Sequence, residues 1–261
     1  MCSDSEKNMS AFADQNHAPS LTCVRLELQD SFFRKEIFRV AVSKNNADNS
    51  ESTYSDMHFI GITGGVGAGK TAILTYLESN YSCRVMLADE IAHDLMEPGT
   101  DCYRKLQELF AEDQVFEADG QIDRKKMAQV LFSDEKKRFA LNDIVHPAVK
   151  QYVIDEMNRE RAAQTHEVLI LEAALLIEEH YDEICDELWY IYTSEENRRE
   201  RLKLNRGYSD EKIDNIFASQ LPESTYREVC KAEIDNNHLP EDAFCQIDEL
   251  MKARQVEKTQ G

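Results

Sequence analysis

The sequence predicts an α/β fold in three layers, a mostly parallel sheet enclosed between helices, and three observations carry that prediction. From Met57 onward, short apolar runs with the length and β-branched content of buried strands alternate with stretches of helical periodicity. A run of glycines stands at the first junction between the two patterns. The long interval from Pro98 to Thr165 carries no convincing strand and reads as a helical insertion on the carboxyl side of the sheet.

Taken in order, residues 1–56 come before the first confident strand. Val24, Leu26 and Leu28 alternate with Arg25 and Glu27 as in a half-buried strand, and Phe38 to Val42 offers a second, but two strands alone do not make a stable domain. Lys44 to Asp56 is rich in Asn, Ser and Asp and reads as a linker. Residues 1–56 are therefore expected to be an accessory extension that a domain over 57–257 does not need, with 258–261 as a tail. Strands are expected at Phe59–Thr63, Val85–Ala88, Val168–Leu171 and Leu188–Tyr192. Between them, Ala72, Ile73, Tyr76 and Leu77 share one face of a first helix, and Met127, Val130 and Leu131 mark another. Val149, Val153 and Met157 continue at i+4 spacing in a third. Strands joined through helices imply right-handed crossovers. A last helix begins near Pro240, with Phe244, Ile247, Leu250 and Met251 as its buried stripe.

The balance of 50 acidic against 30 basic residues, a net charge of −20, repels nucleic acid and anionic membrane surfaces. A phosphate-bearing partner must then be held by a local constellation, not a basic face. The seven cysteines are scattered without a C-x-x-C pair and read as free thiols of a reducing compartment. No apolar run approaches the ~20 residues of a membrane helix. Asp4, Glu6 and Asp14 argue against a transit peptide, so a soluble cytoplasmic protein is expected.

Gly64-Gly65-Val66-Gly67-Ala68-Gly69-Lys70-Thr71 fits G-x-x-x-x-G-K-[ST] at every fixed position, directly after a strand and opening a helix. Such a loop wraps its N–H groups around phosphate oxygens through conformations and approaches that a Cβ would obstruct. The helix amino end adds unpaired donors and a favourable dipole. Lys70 supplies a mobile charge to the β- and γ-phosphates, and the Thr71 hydroxyl is placed to ligate Mg²⁺. The expected architecture is thus the P-loop NTPase fold, with ATP and Mg²⁺ as ligands.

Within that fold, a GTPase would show an N-K-x-D motif after a later strand, and none occurs. A motor-type ATPase would need a larger core. A small-molecule kinase needs an acceptor site and an arginine-bearing lid, and both have candidates. Asp89, at the carboxyl end of the second strand, either orients an attacking hydroxyl or caps the following helix. Glu172 ends its apolar run as an acid that either holds a Mg²⁺-bound water or answers a helix dipole. The arginines of Arg198-Arg199-Glu200-Arg201 through Arg206, in a lid over about 195–225, either fold over ATP or lie solvated. His146-Pro147 is either a binding element or a helix-initiating turn.

From about Met57 to Asn237 the chain resembles the dephospho-coenzyme A kinase family. The resemblance rests on Ile60 to Thr71, on Ala88-Asp89-Glu90-Ile91-Ala92 with Glu97-Pro98-Gly99, and on Asp123-Arg124 with Val130-Leu131-Phe132. It continues through His146-Pro147, Leu175-Leu176-Ile177-Glu178, Gln220 and Ile234-Asp235-Asn236-Asn237. It implies a P-loop core with a helical coenzyme-binding insertion and a lid. It implies transfer of phosphate from ATP, with Mg²⁺, to the ribose 3′-hydroxyl of dephospho-coenzyme A. On it, Asp89 becomes the expected catalytic base, beside Lys70. His93, Arg124, His146 and Leu176 are implied on the substrate side, Gly65 to Thr71 with Arg201 and Arg206 on the ATP side, and Thr71 with Glu172 at the metal. The chain departs from the family pattern where Leu87 replaces a first Asp, where Glu172-Ala173-Ala174 lacks a proline, and where Asn205 takes the place of a lid arginine, with Arg206 one position later.

Overall fold

The structure, a computed structural model, describes residues 57–260. The two strand-like segments expected within 1–56 lie outside the described residues. The sheet has five parallel strands in the order β2-β3-β1-β4-β5. These are β1 (His58–Thr63), β2 (Cys83–Leu87), β3 (Val168–Glu172), β4 (Glu187–Tyr192) and β5 (Ala232–Asp235). Four coincide with the expected apolar runs. β5 was not expected as a strand: it is a short edge strand, and only Ile234 of its four residues is buried, so its composition carries little β signal.

Alternation along the strands divides the core in two. Phe59, Leu169, Leu171 and Leu188 face one side, while Ile60, Ile62, Ile170, Trp189, Ile191 and Ile234 face the other. The second face is covered by α1 (Lys70–Asn80), through Ile73, Leu74 and Leu77, and by α9 (Pro240–Gln260), through Ala243, Ile247 and Met251. Leu74, not Ala72, completes the α1 stripe, and Ala72 is exposed. The helix α9 runs on through most of the expected tail.

The first face is covered by α2 (Ala88–Leu95), α3 (Asp101–Leu109), α4 (Arg124–Ser133) and α5 (Glu135–Ala163). Apart from an isolated antiparallel bridge between Phe116 and Ile122, the expected helical interval holds no sheet structure among the described residues. Thr100, Asp123 and Asp134 cap α3, α4 and α5 by accepting from the N–H groups of Tyr103, Lys126 and Lys137. Pro147 lies inside α5, so His146-Pro147 starts no helix; the proline offers no N–H to the helix and interrupts its ladder. The far end of α5 is tied to the sheet by charge: Arg84 of β2 meets buried Glu156 at 2.8 Å and buried Glu160 at 3.5 Å.

After β4 come α6 (Glu195–Arg206), α7 (Asp210–Ala218) and α8 (Glu223–Val229). Ser194 caps α6 and Ser209 caps α7, and Gly207 ends α6 at φ 61°, where a side chain would be strained. Arg199 bridges Glu195 of its own helix to Asp210 and Asp214 of α7.

Candidate active site

Because every strand is parallel, all five carboxyl ends open on one edge, and the chain order switches sides at β1, the position at which such sheets bind ligands. The 64–71 loop leaves β1 there. Gly67 and Gly69 adopt φ 87° and 86°, and Ala68 N–H closes on Gly65 carbonyl at 3.0 Å. Lys70 reaches back so that its Nζ donates to Gly64 carbonyl at 2.8 Å and stands 3.4 Å from Glu172 Oε1. Thr71, in the first turn of α1, is exposed.

Glu172 closes β3 in register with Ile62 of β1 and Leu87 of β2, which sets its carboxylate beside the loop. β2 passes into α2 without an intervening residue, so Asp89 falls in the first turn of α2. The residue before the helix is Leu87, which provides no side-chain cap, and Asp89 does not cap either. Asp89 is exposed to the crevice, yet desolvation by the protein packed behind it raises its carboxyl from the ordinary value; the negative charge of Glu172 adds to this and Lys70 opposes it. Asp89, Glu172 and Lys70 thus form one electrostatic cluster.

Asp89 also lines an open cleft. Ala92, Val145, Val149 and Leu175 give it apolar walls, and His146 and Glu179 add polar groups. His146 Nδ1 donates to Glu179 Oε1 at 2.9 Å. Lys150 Nζ donates to the carbonyls of Glu179 and His180 at 2.8 and 3.1 Å, fixing that turn. Farther along α2, His93 Nε2 accepts from Arg124 Nη2 at 2.6 Å, with Glu97 Oε1 3.5 Å from His93 and 3.7 Å from Arg124. The structure therefore brings His93 and Arg124 together, and His146 to Asp89.

Leu176 is the correction on the substrate side. It is fully buried against Gly61, where an added Cβ would fall 2.9 Å from its Cδ1; the absence of a side chain at Gly61 is what lets it settle into the core. Ala174 and Leu175 line the cleft instead.

The lid also differs from expectation. Arg206 lies exposed in the last turn of α6 beside Tyr208. Arg201 turns beneath the loop and donates to the carbonyls of Ala68 and Asn236 at 3.3 and 2.7 Å. The arginine at the loop's mouth is Arg198: a Cβ on Gly65 would fall 1.7 Å from its Nη1. Its guanidinium packs 4.4 Å from the Phe217 ring, Nη1 donates to Gln220 at 2.7 Å, and buried Nε has no partner among the described residues. Nothing local distinguishes Arg198 in a run of four arginines; only its helical offset from Phe217 and Gln220 selects it.

Comparison with known proteins fits this geometry. The family model described as dephospho-CoA kinase matches residues 58–241. The chain belongs to the dephospho-CoA kinase family. It is 33% identical over 189 residues to the dephospho-CoA kinase of Shouchella clausii (strain KSM-K16), covering 72% of this chain and 94% of that one. With the dephospho-CoA kinase of Bacillus licheniformis it shares 34% identity over 195 residues, covering 74% and 94%. Among solved structures, TT1252 from Thermus thermophilus superposes with a TM-score of 0.63 at 26% identity, covering 76% of this chain and 98% of that one. Dephospho-CoA kinase from Campylobacter jejuni shares the fold, with a TM-score of 0.56 at 18% identity over 75% and 98% of the two chains. This dephospho-CoA kinase family member is thus a P-loop kinase in fold, of a family that transfers phosphate to a hydroxyl group. None of its described helices is long and apolar enough to cross a membrane.

Proposed function

We propose that this chain transfers the γ-phosphoryl group of ATP to the ribose 3′-hydroxyl of dephospho-CoA, giving CoA and ADP, the last step of CoA synthesis, in the cytoplasm. The observation that carries this reading is the meeting of the phosphate loop with a second, separately walled cleft at Asp89. A binder of nucleotide alone needs only the first.

The loop fits a triphosphate: its glycines leave an approach that a Cβ would fill, and its N–H groups stand at the amino end of α1. Among the described residues no cluster of three or more His, Cys, Asp and Glu side chains would hold a metal alone. Mg²⁺ would be held by phosphate oxygens with Thr71, and by Glu172 through water, and would neutralise charge on the transferred group. Asp89 accepts the proton of the 3′-hydroxyl as that oxygen attacks the γ-phosphorus. The bond to the β-bridging oxygen breaks in line and ADP leaves without a covalent enzyme intermediate. Lys70, freed from Gly64 carbonyl and Glu172, follows the moving charge. Arg198, in place of Arg201 or Arg206, is the lid arginine that reaches the phosphates, because it already stands at Gly65 with an unsatisfied donor. His93, Arg124 and His146 are the acceptor-side residues of this reading.

Mass-spectrometric detection of CoA from dephospho-CoA and Mg·ATP tests the reading, with nucleosides and nucleotides as competing acceptors. Preferential transfer to one of those acceptors would reject it.

A further inference from the structure

Four donor groups on three side chains gather at the back of the phosphate loop, on the side away from the crevice, and none belongs to the loop's own motif. Ala68 carbonyl accepts from Asn236 Nδ2 at 2.7 Å, from Thr193 Oγ1 at 3.1 Å and from Arg201 Nη1 at 3.3 Å. The same three are tied to one another. Arg201 Nη2 donates to Asn236 carbonyl at 2.7 Å, Thr193 Oγ1 lies 3.2 Å from that carbonyl, and Arg201 Nη1 is 3.4 Å from Thr193 Oγ1. Thr193 has a single hydroxyl proton, so it satisfies one carbonyl at a time, while Arg201 and Asn236 keep the other occupied. Thr193 and Asn236 are nearly fully buried, which makes each unmet bond costly.

A trans peptide points its carbonyl and the following N–H in opposite directions, and the described chain has no cis bond. Holding Ala68 carbonyl at the rear therefore turns the N–H of Gly69 toward the phosphate side. Gly69 is itself shaped by this contact: an added Cβ would fall 2.5 Å from Asn236 Nδ2, and its φ is 86°. The motif's second fixed glycine thus admits the clamp from behind as well as phosphate from in front.

We propose that Thr193, Asn236 and Arg201 are positioning residues that fix the Ala68–Gly69 peptide with its N–H aimed at the phosphates of ATP, and that Arg201 makes this orientation depend on the seating of the lid helix α6. The inference rests on the kinase reading above for its ligand, but not on the acceptor. Without the clamp the peptide is free to rotate, and phosphate binding must fund its ordering.

The test is direct calorimetric binding of ATP and of AMP to the full chain without acceptor, for wild type, Thr193→Val, Thr193→Ser and Arg201→Met. Valine keeps the shape of threonine and loses the hydroxyl; serine keeps the hydroxyl. ATP affinity is expected to fall about tenfold in Thr193→Val and Arg201→Met and to return to within about twofold of wild type in Thr193→Ser, the scale of one or two lost hydrogen bonds. AMP, which lacks the phosphates that this N–H meets, should bind all four alike, and the KM for dephospho-CoA should stay level. Equal ATP binding by wild type and both Thr193→Val and Arg201→Met overturns the clamp, as does a loss shared equally by ATP and AMP. If Thr193→Val fails to fold, Arg201→Met, at a half-buried position, decides alone. Failure of wild type itself to bind ATP would instead remove the kinase reading.

Discussion

Asp89 sits where its chemistry and its comfort conflict. Its carboxyl is raised by the protein packed around it and by Glu172, so ionising it costs more in the folded chain than in the unfolded one. A carboxyl raised on folding contributes stability below its unfolded value and loses it as pH rises through its folded value, so at neutral pH the ionised Asp89 weighs against the native state. Asp89→Asn should accordingly melt at a slightly higher temperature without nucleotide, bind ATP within about twofold of wild type, and lose roughly 10²- to 10⁴-fold in kcat. In wild type, kcat should decline as pH falls through a value above the ordinary carboxylate range, and the residual activity of the asparagine variant should lack that limb. Near-normal turnover of Asp89→Asn would remove Asp89 as the base. At this scale the sequence is most legible where chemistry is local: the loop from Gly64 to Thr71 announces itself in eight consecutive residues. Thr193 and Glu179 were illegible because their partners lie far along the chain, as with the 125 positions between Thr193 and Ala68, and Arg198 was legible only as one of several lid arginines, with nothing local to select it.

The elements divide into those held by apolar area and those held by charge. β1, β3 and β4 were readable because each buries consecutive apolar residues on both faces, and the edge strand β2 because Val85, Met86 and Leu87 are apolar in succession; β5 was hidden because, of its four residues, only Ile234 is buried. The long helix α5 could be sensed from Val149, Val153 and Met157, but its passage through Pro147 could not, since tertiary packing overrides the proline's preference. Arg84 fastens that helix. Arg84→Met leaves Glu156 and Glu160 with only Arg159 and His166, and should cost about 2 kcal/mol in urea unfolding, less than for a fully buried pair because Arg84 is partly exposed. A change within 0.3 kcal/mol would mean that the pairs contribute nothing net, as many partly exposed pairs do (about 0–1 kcal/mol). In the lid, Arg199 joins α6 to α7 through Asp210 and Asp214. Arg199→Ala should speed hydrogen exchange over 195–218 and raise the KM for ATP several-fold, with melting of the whole chain little changed; unaltered exchange there would separate the lid's order from this bridge.

For the molecule as a whole, the net charge of −20 and the binding of a polyanion are reconciled by locality. Charges beyond about 8 Å are screened at physiological salt, while loop N–H groups act at contact. Nucleotide should therefore stabilise strongly despite the global field: ATP with Mg²⁺ at a hundred times Kd adds about 2.7 kcal/mol, or roughly 5–10 °C in melting temperature. The same shift is expected in a chain beginning at Met57, because the described sheet, both its cores and the site lie within 57–260. A shortened chain that is folded yet shows no such shift would assign nucleotide binding to residues 1–56.

The direct passage of β2 into α2 has a mechanical meaning. With no spacer after Leu87, Asp89 is a fixed post carried by the sheet; one alanine inserted there would swing it about 100° around the helix axis. Any closing stroke must then come from the side of the lid with Arg198, while the post keeps still and the sugar alcohol is delivered to it.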